Sequence, residues 1–365
     1  MDIRLENVLE YEQPTKYIVK SENYSDDFAL PVLTAGKSFV LGFTDETDGI
    51  CKASESPVII FDDFTADCKY VDFDFKVKSS AIKILHKANA EDNLKYYFYA
   101  MQAIDYTPFS HKRVWISEYS KFKIKNRSVA EQNNIVKKLD TVATAIDNAK
   151  QRLNALDELV KSRFIEMFGD PLSNSKGYDL SDYGSLFELN AGGTPSKNKP
   201  EYWENGNISW IGSNMCQDTI LYENDGKYIT ELGFNNSSAR MFPKNTVLVA
   251  LVGATIGKTA LLKFETTTNQ NVLGIRGIEE SGNNPYFVFY YTQGLHKFFM
   301  DISDGGFAMA SKGFISKLPF PIVDISLQND FADFVKLIDK SKFIVQKQID
   351  DLQELLDSKM DEYFG

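Results

Sequence analysis

The sequence has little of what metal-binding and disulfide-stabilised proteins need. It contains 3 cysteines and 3 histidines in 365 residues, and Cys51, Cys68 and Cys216 share no close spacing. A Cys/His metal site needs several such ligands close together, so the sequence argues against one. Dispersed cysteines are typical of free thiols in a reducing cytosol. We therefore expect no metal in this chain and a cytoplasmic location.

Long apolar runs are also missing. No run reaches the ~18 residues that a membrane-spanning helix needs. The N-terminal residues MDIRLENVLEYEQ lack the apolar core of a signal peptide. With 43% hydrophobic and 25% charged residues, the composition is that of a globular protein of two or more domains. The sequence predicts no membrane association.

Catalytic motifs are a third absence. Residues 253–259, GATIGKT, follow an apolar stretch and resemble a phosphate-binding loop, but the spacing is one residue short. A tight turn after a strand is the simpler interpretation. Residues 283–286, NNPY, resemble a methyltransferase loop with the wrong second residue, and we interpret them as a turn that begins a helix over residues 285–300. No Ser/His/Asp set can be assembled, so we expect no catalysis by this chain.

The net charge of −11 argues at first sight against a nucleic-acid partner. Its distribution weakens that argument. Residues 321–365 hold 5 lysines against 10 acidic residues, whereas the globular segments before them are nearly balanced. A local basic face therefore remains open, although the sequence alone does not locate it.

What the sequence does contain is a long amphipathic segment, residues 128–171. Its apolar residues recur in steps of three and four, the spacing of a helix that packs along another helix. They are Ile135, Leu139, Val142, Ile146, Ala149, Leu153, Leu156 and Val160. Ser128 and Glu131 form a capping-box pattern at the start, and Gly169 and Pro171 mark the end. At about 1.5 Å per residue, the helix would be roughly 60 Å long.

The last forty residues repeat this segment at an offset of 196 positions. Gln132 pairs with Gln328, and Phe168 with Phe364, each phenylalanine being followed by glycine. We interpret the repeat as a duplication of a whole unit, a mixed globular part followed by a helix. The second helix must return to bury its apolar face on the first. The sequence therefore predicts an α+β fold of two mixed α/β domains joined by a pair of long antiparallel helices, a coiled coil with a pseudo-two-fold internal repeat.

The helix pair also predicts an interface. The side chains expected to form it are Leu139, Val142, Ile146, Ala149, Leu153, Leu156, Val335, Ile338, Val345, Ile349, Leu352 and Leu356. Residues 1–127 and 171–322 would then be globular, and residues 128–170 and 323–365 helical. Such an object would present two different surfaces at a fixed distance.

The residue patterns that indicate a binding surface lie in predicted loops. Residues 192–199, GGTPSKNK, combine exposed backbone, hydroxyls and lysines, which suit contacts to phosphates and base edges. A plain surface loop remains the alternative. The predicted DNA contacts are Thr34, Lys37, Ser38, Lys69, Lys112 and Arg113 in the first domain, and Gly193, Thr194, Ser196, Lys197, Lys199, Tyr202, Trp203, Ser213, Asn214, Thr255, Lys258 and Lys312 in the second.

Together these residues resemble the specificity (S) subunit of a type I restriction-modification enzyme. GGTPSKNKPEYW before ISWIGSNM, the blocks GATIGKTAL and TNQNV, and FISKLPFPIV before the second long helix match patterns of that family. PVLTAGKSFVLGFT and PVIIFDDFTADCKYVDFDFKVKS look like another subtype of target-recognition domain. The chain departs from the family at residues 129–132, where a Pro-Pro-Leu lead-in is absent.

The resemblance implies a non-catalytic subunit in defence against foreign DNA. Each target-recognition domain (1–127 and 171–322) would read one half of a bipartite site in double-stranded DNA. The central and C-terminal conserved helices (128–170 and 323–365) would set the gap and dock two methyltransferase (modification) subunits, and motor-nuclease (restriction) subunits would join. S-adenosylmethionine, ATP and Mg would bind those partners, with no cofactor in this chain. The alternative is a coiled-coil protein-interaction scaffold without DNA binding.

Overall fold

A computed structural model describes residues 1–35, 38–109, 112–303 and 309–365 of the chain. It divides into two compact units. The first unit comprises Met1–Gln151 and Gln346–Gly365, and the second comprises Arg152–Val345. Among the described residues, no helix is both long enough and apolar enough to cross a membrane.

The first unit contains short strands, a helix and the first part of a long helix, together with the end of a second long helix. In chain order its elements are β1 (Asp2–Arg4), β2 (Leu9–Glu12), β3 (Leu30–Leu33), β4 (Val40–Thr44), β5 (Val58–Asp62), β6 (Cys68–Val71), β7 (Lys76–Val77), β8 (Ile82–Lys87), α1 (Leu94–Gln102), β9 (Lys123–Lys125) and α2 (Val129–Phe168). The strands form an antiparallel sheet of order β2-β8-β5-β6, a mixed sheet β4-β3-β7 and the pair β1-β9. Strands β3 and β7 are parallel.

The second unit contains the rest of α2 and the remaining elements, and the last of these continues into the first unit. They are β10 (Leu180–Asp182), α3 (Tyr183–Leu186), β11 (Glu188–Ala191), β12 (Ile208–Ile211), β13 (Thr219–Leu221), β14 (Tyr228–Ile229), α4 (Glu231–Asn235), β15 (Met241–Phe242), β16 (Val247–Ala250), β17 (Thr259–Leu262), β18 (Thr266–Thr268), β19 (Val272–Arg276), α5 (Pro285–Gly294), α6 (His296–Ser303), α7 (Lys312–Ser316), β20 (Pro319–Pro321) and α8 (Ile325–Phe364). Their sheets are β11-β19-β16-β17-β13, β14-β12-β18-β15 and β10-β20.

The second unit repeats the strand order of the first. The run β2-β8-β5-β6 corresponds to β11-β19-β16-β17, and the pair β1-β9 corresponds to β10-β20. The parallel pair β3 and β7 corresponds to the parallel pair β12 and β18. A short helix then precedes a long one in both units, α1 before α2 and α5 before α8. The internal repeat predicted from the long helices is therefore confirmed, and it includes the globular parts.

The central strand of each main sheet is buried on both faces. Ile59 and Phe61 of β5 belong to one core cluster, while Val58 and Ile60 belong to another. In the second unit, alternate residues of β16 divide between two clusters in the same way. Successive side chains of a strand point to opposite faces, so an unbroken apolar run is suited to a sheet covered on both sides. Such runs in the sequence therefore mark the centre of each unit.

The two long helices begin and end as their sequences indicate. Each is 40 residues long. At the start of α2, the backbone N–H of Ser128 donates to Glu131 Oε2 at 3.0 Å, while the N–H of Glu131 donates to Ser128 Oγ at 3.4 Å. This reciprocal pair is the predicted capping box. Gly169, with a φ of 80°, follows the last helical residue, in the left-handed conformation that favours glycine.

Each unit joins the start of one long helix to the end of the other. In the first unit, Leu139 and Tyr363 belong to the same core cluster. In the second unit, the rings of Phe164 and Phe168 lie 5.3 and 5.5 Å from the ring of Phe331. Further along α8, Lys342 pairs with Asp157, which precedes Phe164 on α2, so the two helix segments of the second unit are antiparallel, as the sequence predicts.

Burial along these helices follows the apolar spacing. Of the twelve residues predicted to form the helix-pair interface, six are buried, namely Leu139, Ile146, Ala149, Val335, Ile338 and Ile349. The other six are half-buried, namely Val142, Leu153, Leu156, Val345, Leu352 and Leu356. Which side chain meets which across the pair stays a prediction.

Two sequence interpretations of loops are confirmed, and one helix prediction is wrong. Residues 253–259 form a tight turn after β16, with φ values of 71° at Gly253 and 74° at Gly257. Residues 283–286 begin α5, where the Asn284 side chain accepts from the N–H of Tyr286 at 3.0 Å. The single helix predicted over 285–300 is instead two, because α5 ends at Gly294. A Cβ on Gly294 would lie 2.5 Å from Pro171 Cγ, so the chain packs closely at the break.

Candidate nucleic-acid interface

Polar side chains gather at one edge of the β14-β12-β18-β15 sheet. Strands β12 and β18 are parallel, with Ile211 opposite Thr268, so the residues that follow both strands emerge together. Strand β15 is antiparallel to β18, with Met241 opposite Thr267, so the residue before β15 lies at the same edge. Thr194, Asn214, Arg240, Asn269 and Gln270 belong to this edge. We call it the second edge, because it lies in the second unit.

The glycine-rich loop predicted to bind DNA is tied to the second edge. The N–H of Gly193 donates to the carbonyl of Thr268 at 2.8 Å, and Thr194 Oγ1 donates to the side-chain oxygen of Gln270. A Cβ on Gly193 would lie 2.4 Å from the carbonyl of Ser238. Glycine is therefore required for this approach of two backbones, rather than for flexibility.

Two aromatic residues support the rest of that loop. Trp203 donates from Nε1 to the carbonyl of Ser196 at 3.1 Å, and Lys199 Nζ donates to the Tyr202 hydroxyl at 3.0 Å. This hydrogen bond raises the pKa of Lys199, so the ammonium stays charged. Tyr202 is only 7% exposed. Tyr202 therefore positions the loop, while Ser196, Lys197 and Lys199 are exposed.

A second group of predicted residues joins the same edge through the loop after β12. Lys258 Nζ donates to Gln217 Oε1 at 2.9 Å, and Gln217 Nε2 donates to the carbonyl of Asn214 at 3.1 Å. Asn214 is exposed, whereas Ser213 and Thr255 are half-buried. The turn that resembles a phosphate-binding loop thus places a lysine beside the second edge.

Lys312 lies near this turn. It is exposed in the first turn of α7. Just before that helix, the N–H of Ala310 donates to the carbonyl of Leu251 at 2.9 Å, and Met309 forms a bridge with Val252. The start of α7 is therefore held against the chain that leads into Gly253.

Three residues of the second edge escaped the prediction from sequence. Asn269 and Gln270 stand in the quoted block TNQNV, so a signal for them was present. Arg240 stands in an unremarkable polar stretch, and only the pairing of β15 with β18 brings it to the edge. Arg240 Nη1 donates to Asn190 Oδ1 at 3.0 Å.

The first unit has an equivalent edge on its β4-β3-β7 sheet. Because β3 and β7 are parallel, with Leu33 opposite Val77, Thr34 and Lys78 emerge together. The backbone N–H of Lys78 donates to the carbonyl of Leu33 at 2.9 Å. The backbone N–H of Thr34 donates to the carbonyl of Phe39 at 3.0 Å. We call this edge, with Thr34, Ser38, Lys78, Ser80 and Arg113, the first edge. The predicted contact Lys37 lies outside the described residues.

A buried ion pair holds the segment that carries Arg113. Asp63 Oδ1 accepts from the N–H groups of Val114 and Trp115 at 3.0 and 2.8 Å. Asp63 Oδ2 lies 3.4 Å from Lys83 Nζ, with both side chains 1% exposed. A buried carboxylate that is both paired and hydrogen-bonded can fix a loop, because the buried pair requires that geometry.

The remaining predicted residues of the first unit are exposed but differ in position. Arg113 Nη2 donates to Ser80 Oγ at 3.2 Å, which joins it to the first edge. Lys112 precedes it and is exposed. Lys69 lies on β6, the outer strand of the β2-β8-β5-β6 sheet, opposite Ile60. Lys69 therefore belongs to a different sheet from the one that carries the first edge.

The cysteines carry no nucleophilic chemistry at these edges. Burial raises the pKa of Cys51 to about 11 and the pKa values of Cys68 and Cys216 to about 12. Such thiols stay protonated near neutral pH, and the thiolate is the reactive form. In the described parts of the chain, no group of three or more His, Cys, Asp or Glu side chains could hold a metal ion.

Comparison with known proteins identifies the family. Residues 175–354 match the family described as Type I restriction modification DNA specificity domain. The chain is 38% identical over 288 residues to the Type I restriction enzyme EcoR124I/EcoR124II specificity subunit of Escherichia coli, a match covering 74% of this chain and 69% of that protein. It is 32% identical over 153 residues to the MjaIX specificity subunit of Methanocaldococcus jannaschii, covering 40% of this chain and 34% of that protein.

Solved structures agree on the fold. The type I restriction-modification S subunit from M. genitalium superposes with a TM-score of 0.58 at 14% identity, covering 100% of this chain and 96% of that one. A second solved structure, which describes complex assembly and conformational transition of the type I R-M system, contains a chain that superposes with a TM-score of 0.55 at 14% identity. That match covers 100% of this chain and 97% of the other. The predicted α+β class and long helices are thereby confirmed. The sequence matches to specificity subunits confirm DNA recognition and a non-catalytic role. This chain belongs to the specificity subunits of type I restriction enzymes.

Proposed function

We propose that this chain reads double-stranded DNA through its first and second edges, one half of a bipartite site at each. A single observation carries this proposal. Two units of the same topology expose polar side chains at the same place, the carboxyl edge of a parallel strand pair. The two edges carry different side chains, as two different half-sites require.

The chemistry of the second edge suits both kinds of DNA contact. Lys197, Lys199 and Lys258 supply positive charge for phosphates, which orient a protein on DNA without reading sequence. The amides of Asn214 and Gln270 and the guanidinium of Arg240 offer donors in fixed geometry for base edges. Their loops are held by hydrogen bonds to one another. Little ordering of these loops would then be needed on binding.

Membership of the family gives the coarse partners, which are DNA and the other subunits of a type I restriction-modification enzyme. In finer detail we propose two methyltransferase subunits docked on α2 and α8, with motor-nuclease subunits joining them. Residues 128–170 and 323–365 would act as spacer and docking helices between target-recognition domains 1–127 and 171–322. S-adenosylmethionine, ATP and Mg would be held by those partners, and the complex would act in the cytoplasm.

The acidic balance of the chain bears on affinity. Phosphate contacts supply much of the affinity of a protein for DNA, and the net charge here is −11. We therefore propose weak DNA binding by the isolated chain and firm binding once methyltransferase subunits are present. A gel shift over a range of salt concentrations compares the two, and full-affinity specific binding by the isolated chain would contradict this part of the proposal.

The main experiment expresses the chain with its methyltransferase subunits in a host without adenine methylation. Mapping of methyladenine over the genome should reveal one bipartite motif. Lys197→Ala combined with Lys199→Ala should lower methylation, because two phosphate contacts are lost. The matched control is Lys52→Ala, since that lysine is already paired with Asp74 at 2.7 Å and lies outside both edges and both long helices. An assembled complex that methylates no bipartite motif would favour the protein-interaction scaffold instead.

A further inference from the structure

Apart from Arg152, the arginines of this chain fall into two groups by their partners. Most pair with carboxylates. These pairs are Arg4 with Glu6 at 3.1 Å, Arg127 with Glu131 at 3.7 Å, Arg163 with Glu166 at 2.8 Å and Arg276 with Glu188 at 3.7 Å. Arg113 and Arg240 instead bind neutral oxygens, Ser80 Oγ at 3.2 Å and Asn190 Oδ1 at 3.0 Å. Arg113 lies in the first unit and Arg240 in the second.

A neutral partner has a different effect from a carboxylate. It fixes one nitrogen of the planar guanidinium, and no carboxylate of the described residues is paired with Arg113 or Arg240 to compensate the positive charge. The remaining N–H donors stay available in a rigid fork that matches a pair of acceptors. Arg113 and Arg240 are both exposed. Each is thus oriented in advance for a ligand with two acceptors side by side.

Both arginines lie on the edges proposed to face DNA. Arg240 precedes β15 beside Thr268, next to Asn269 and Gln270. Arg113 is joined through Ser80 to the first edge, and the buried Asp63 holds the residues that follow it. At each position, one hydrogen bond to a residue of the same unit orients the guanidinium.

We infer that Arg113 and Arg240 determine sequence specificity, each donating to a guanine in the half-site read by its own unit. Guanine presents two adjacent acceptors, O6 and N7, in the major groove, and a bidentate arginine is its commonest partner. Phosphates need only charge, and exposed lysines such as Lys112 and Lys197 supply that at the same edges. The inference rests on the proposed function and adds the base that each unit reads.

The inference makes a direct statement about the recognised site. Each half of the mapped motif must specify at least one G·C pair. A half-site without a specified G·C pair overturns the assignment for the unit that reads it, whatever the variants show.

The test uses Arg113→Lys and Arg240→Lys in the assembled methyltransferase complex. Lysine keeps the charge but loses the fork. Methylation rates are measured on duplexes in which each base pair of the mapped motif is replaced in turn. For Arg240→Lys, we expect preference for one G·C pair in one half-site to fall roughly 10- to 100-fold, with the other half-site unchanged. Arg113→Lys should show the same effect in the other half.

The matched controls are Arg4→Lys and Arg276→Lys, which alter arginines already paired with carboxylates. They should leave base preference unchanged. Asn190→Ala provides a second variant, because it frees the Arg240 guanidinium. It should weaken the same G·C preference that Arg240→Lys removes.

The alternative outcomes are distinguishable. An equal loss on every duplex, with unchanged preference at each position and a shallower salt dependence, means a phosphate contact and overturns the inference. An unchanged rate and preference for both lysine variants also overturns it, while the bipartite motif of the unaltered complex upholds the proposed function. If the unaltered complex methylates no bipartite motif, the proposed function itself is wrong, and the arginine variants are not needed to show it. Gel filtration of each complex shows that the variants assemble.

Discussion

The side-chain oxygen of Gln132 accepts a hydrogen bond from the backbone N–H of Asn93 at 2.8 Å, and Gln328 accepts from Asn284 at the same distance. Each asparagine caps a short helix, α1 or α5. The amide nitrogen of each glutamine donates to a carbonyl just before its own long helix, Arg127 or Val323, at 3.1 and 2.9 Å. The repeat therefore preserves a pair of glutamine hydrogen bonds that joins a globular part to a long helix.

Replacing these glutamines tests how much their hydrogen bonds stabilise the protein. Gln132 and Gln328 are 1% and 0% exposed. Alanine at either position would leave partly buried N–H and carbonyl groups without partners, at a cost of about 1–3 kcal/mol in the free energy of unfolding. Urea unfolding of the full chain measures this. Asn134→Ala, two residues further along α2 and exposed, is the control, and equal loss in that variant would contradict the prediction.

The buried Asp63–Lys83 pair should matter more than an exposed one. Asp63→Ala leaves the Lys83 ammonium buried and unpaired, which costs about 3–5 kcal/mol. Lys52→Ala, at a largely exposed pair with Asp74, should cost less than about 1 kcal/mol. Methylation mapping should also show weakened recognition of one half-site, because Asp63 holds the segment of Arg113. The double variant Asp63→Ala with Lys83→Met should be more stable than Asp63→Ala alone. A less stable double variant would count against the buried charge as the cause.

Lys263 should make stability depend on pH on the alkaline side. Its Nζ lies 3.9 Å from the centre of the Tyr286 ring, and burial lowers its pKa from 10.5 to about 8. Between these two values the unfolded chain holds a proton that the folded chain has lost. The free energy of unfolding contributed by Lys263 therefore rises with pH from about 8 to 10.5.

The measurement compares urea unfolding of the unaltered chain and Lys263→Met from pH 7 to 10. The stability of the unaltered chain relative to the variant should increase with pH across this window. Lys297→Met, at an exposed position on α6, should show no such trend. A difference that stays constant with pH would mean that the folded and unfolded pKa values of Lys263 are equal.

Gly193 should tolerate no side chain. A Cβ there would lie 2.4 Å from the backbone carbonyl of Ser238, which cannot turn aside as a flexible side chain could, so the loop that carries Thr194 must shift. Gly193→Ala should reduce methylation, with the loss confined to recognition of one half-site. Gly313→Ala is the control, because the nearest atom to its Cβ would be the side chain of Ser311 at 3.7 Å. Normal methylation by Gly193→Ala would refute the close approach.

Features encoded by local spacing could be predicted. The steps of three and four in residues 128–171 specify the long helix, since its buried side depends only on residues near in sequence. Ser128 and Glu131 mark its start for the same reason. Gln132 and Gln328 reveal the duplication because both copies keep the same hydrogen bond from a capping asparagine to a glutamine. The family resemblance likewise rests on short blocks of sequence.

The edges were decided by tertiary structure. Arg240 lies beside Gln270 only because β15 pairs with β18 in one register, and no local pattern encodes a pairing between such distant segments. Tyr202 has the composition of a binding residue, yet its ring is buried under a loop. The helix break at Gly294 packs closely against Pro171, a residue distant in sequence. The sequence by itself therefore determined the periodic helices and the repeat, while long-range strand pairing decided which polar side chains stand together.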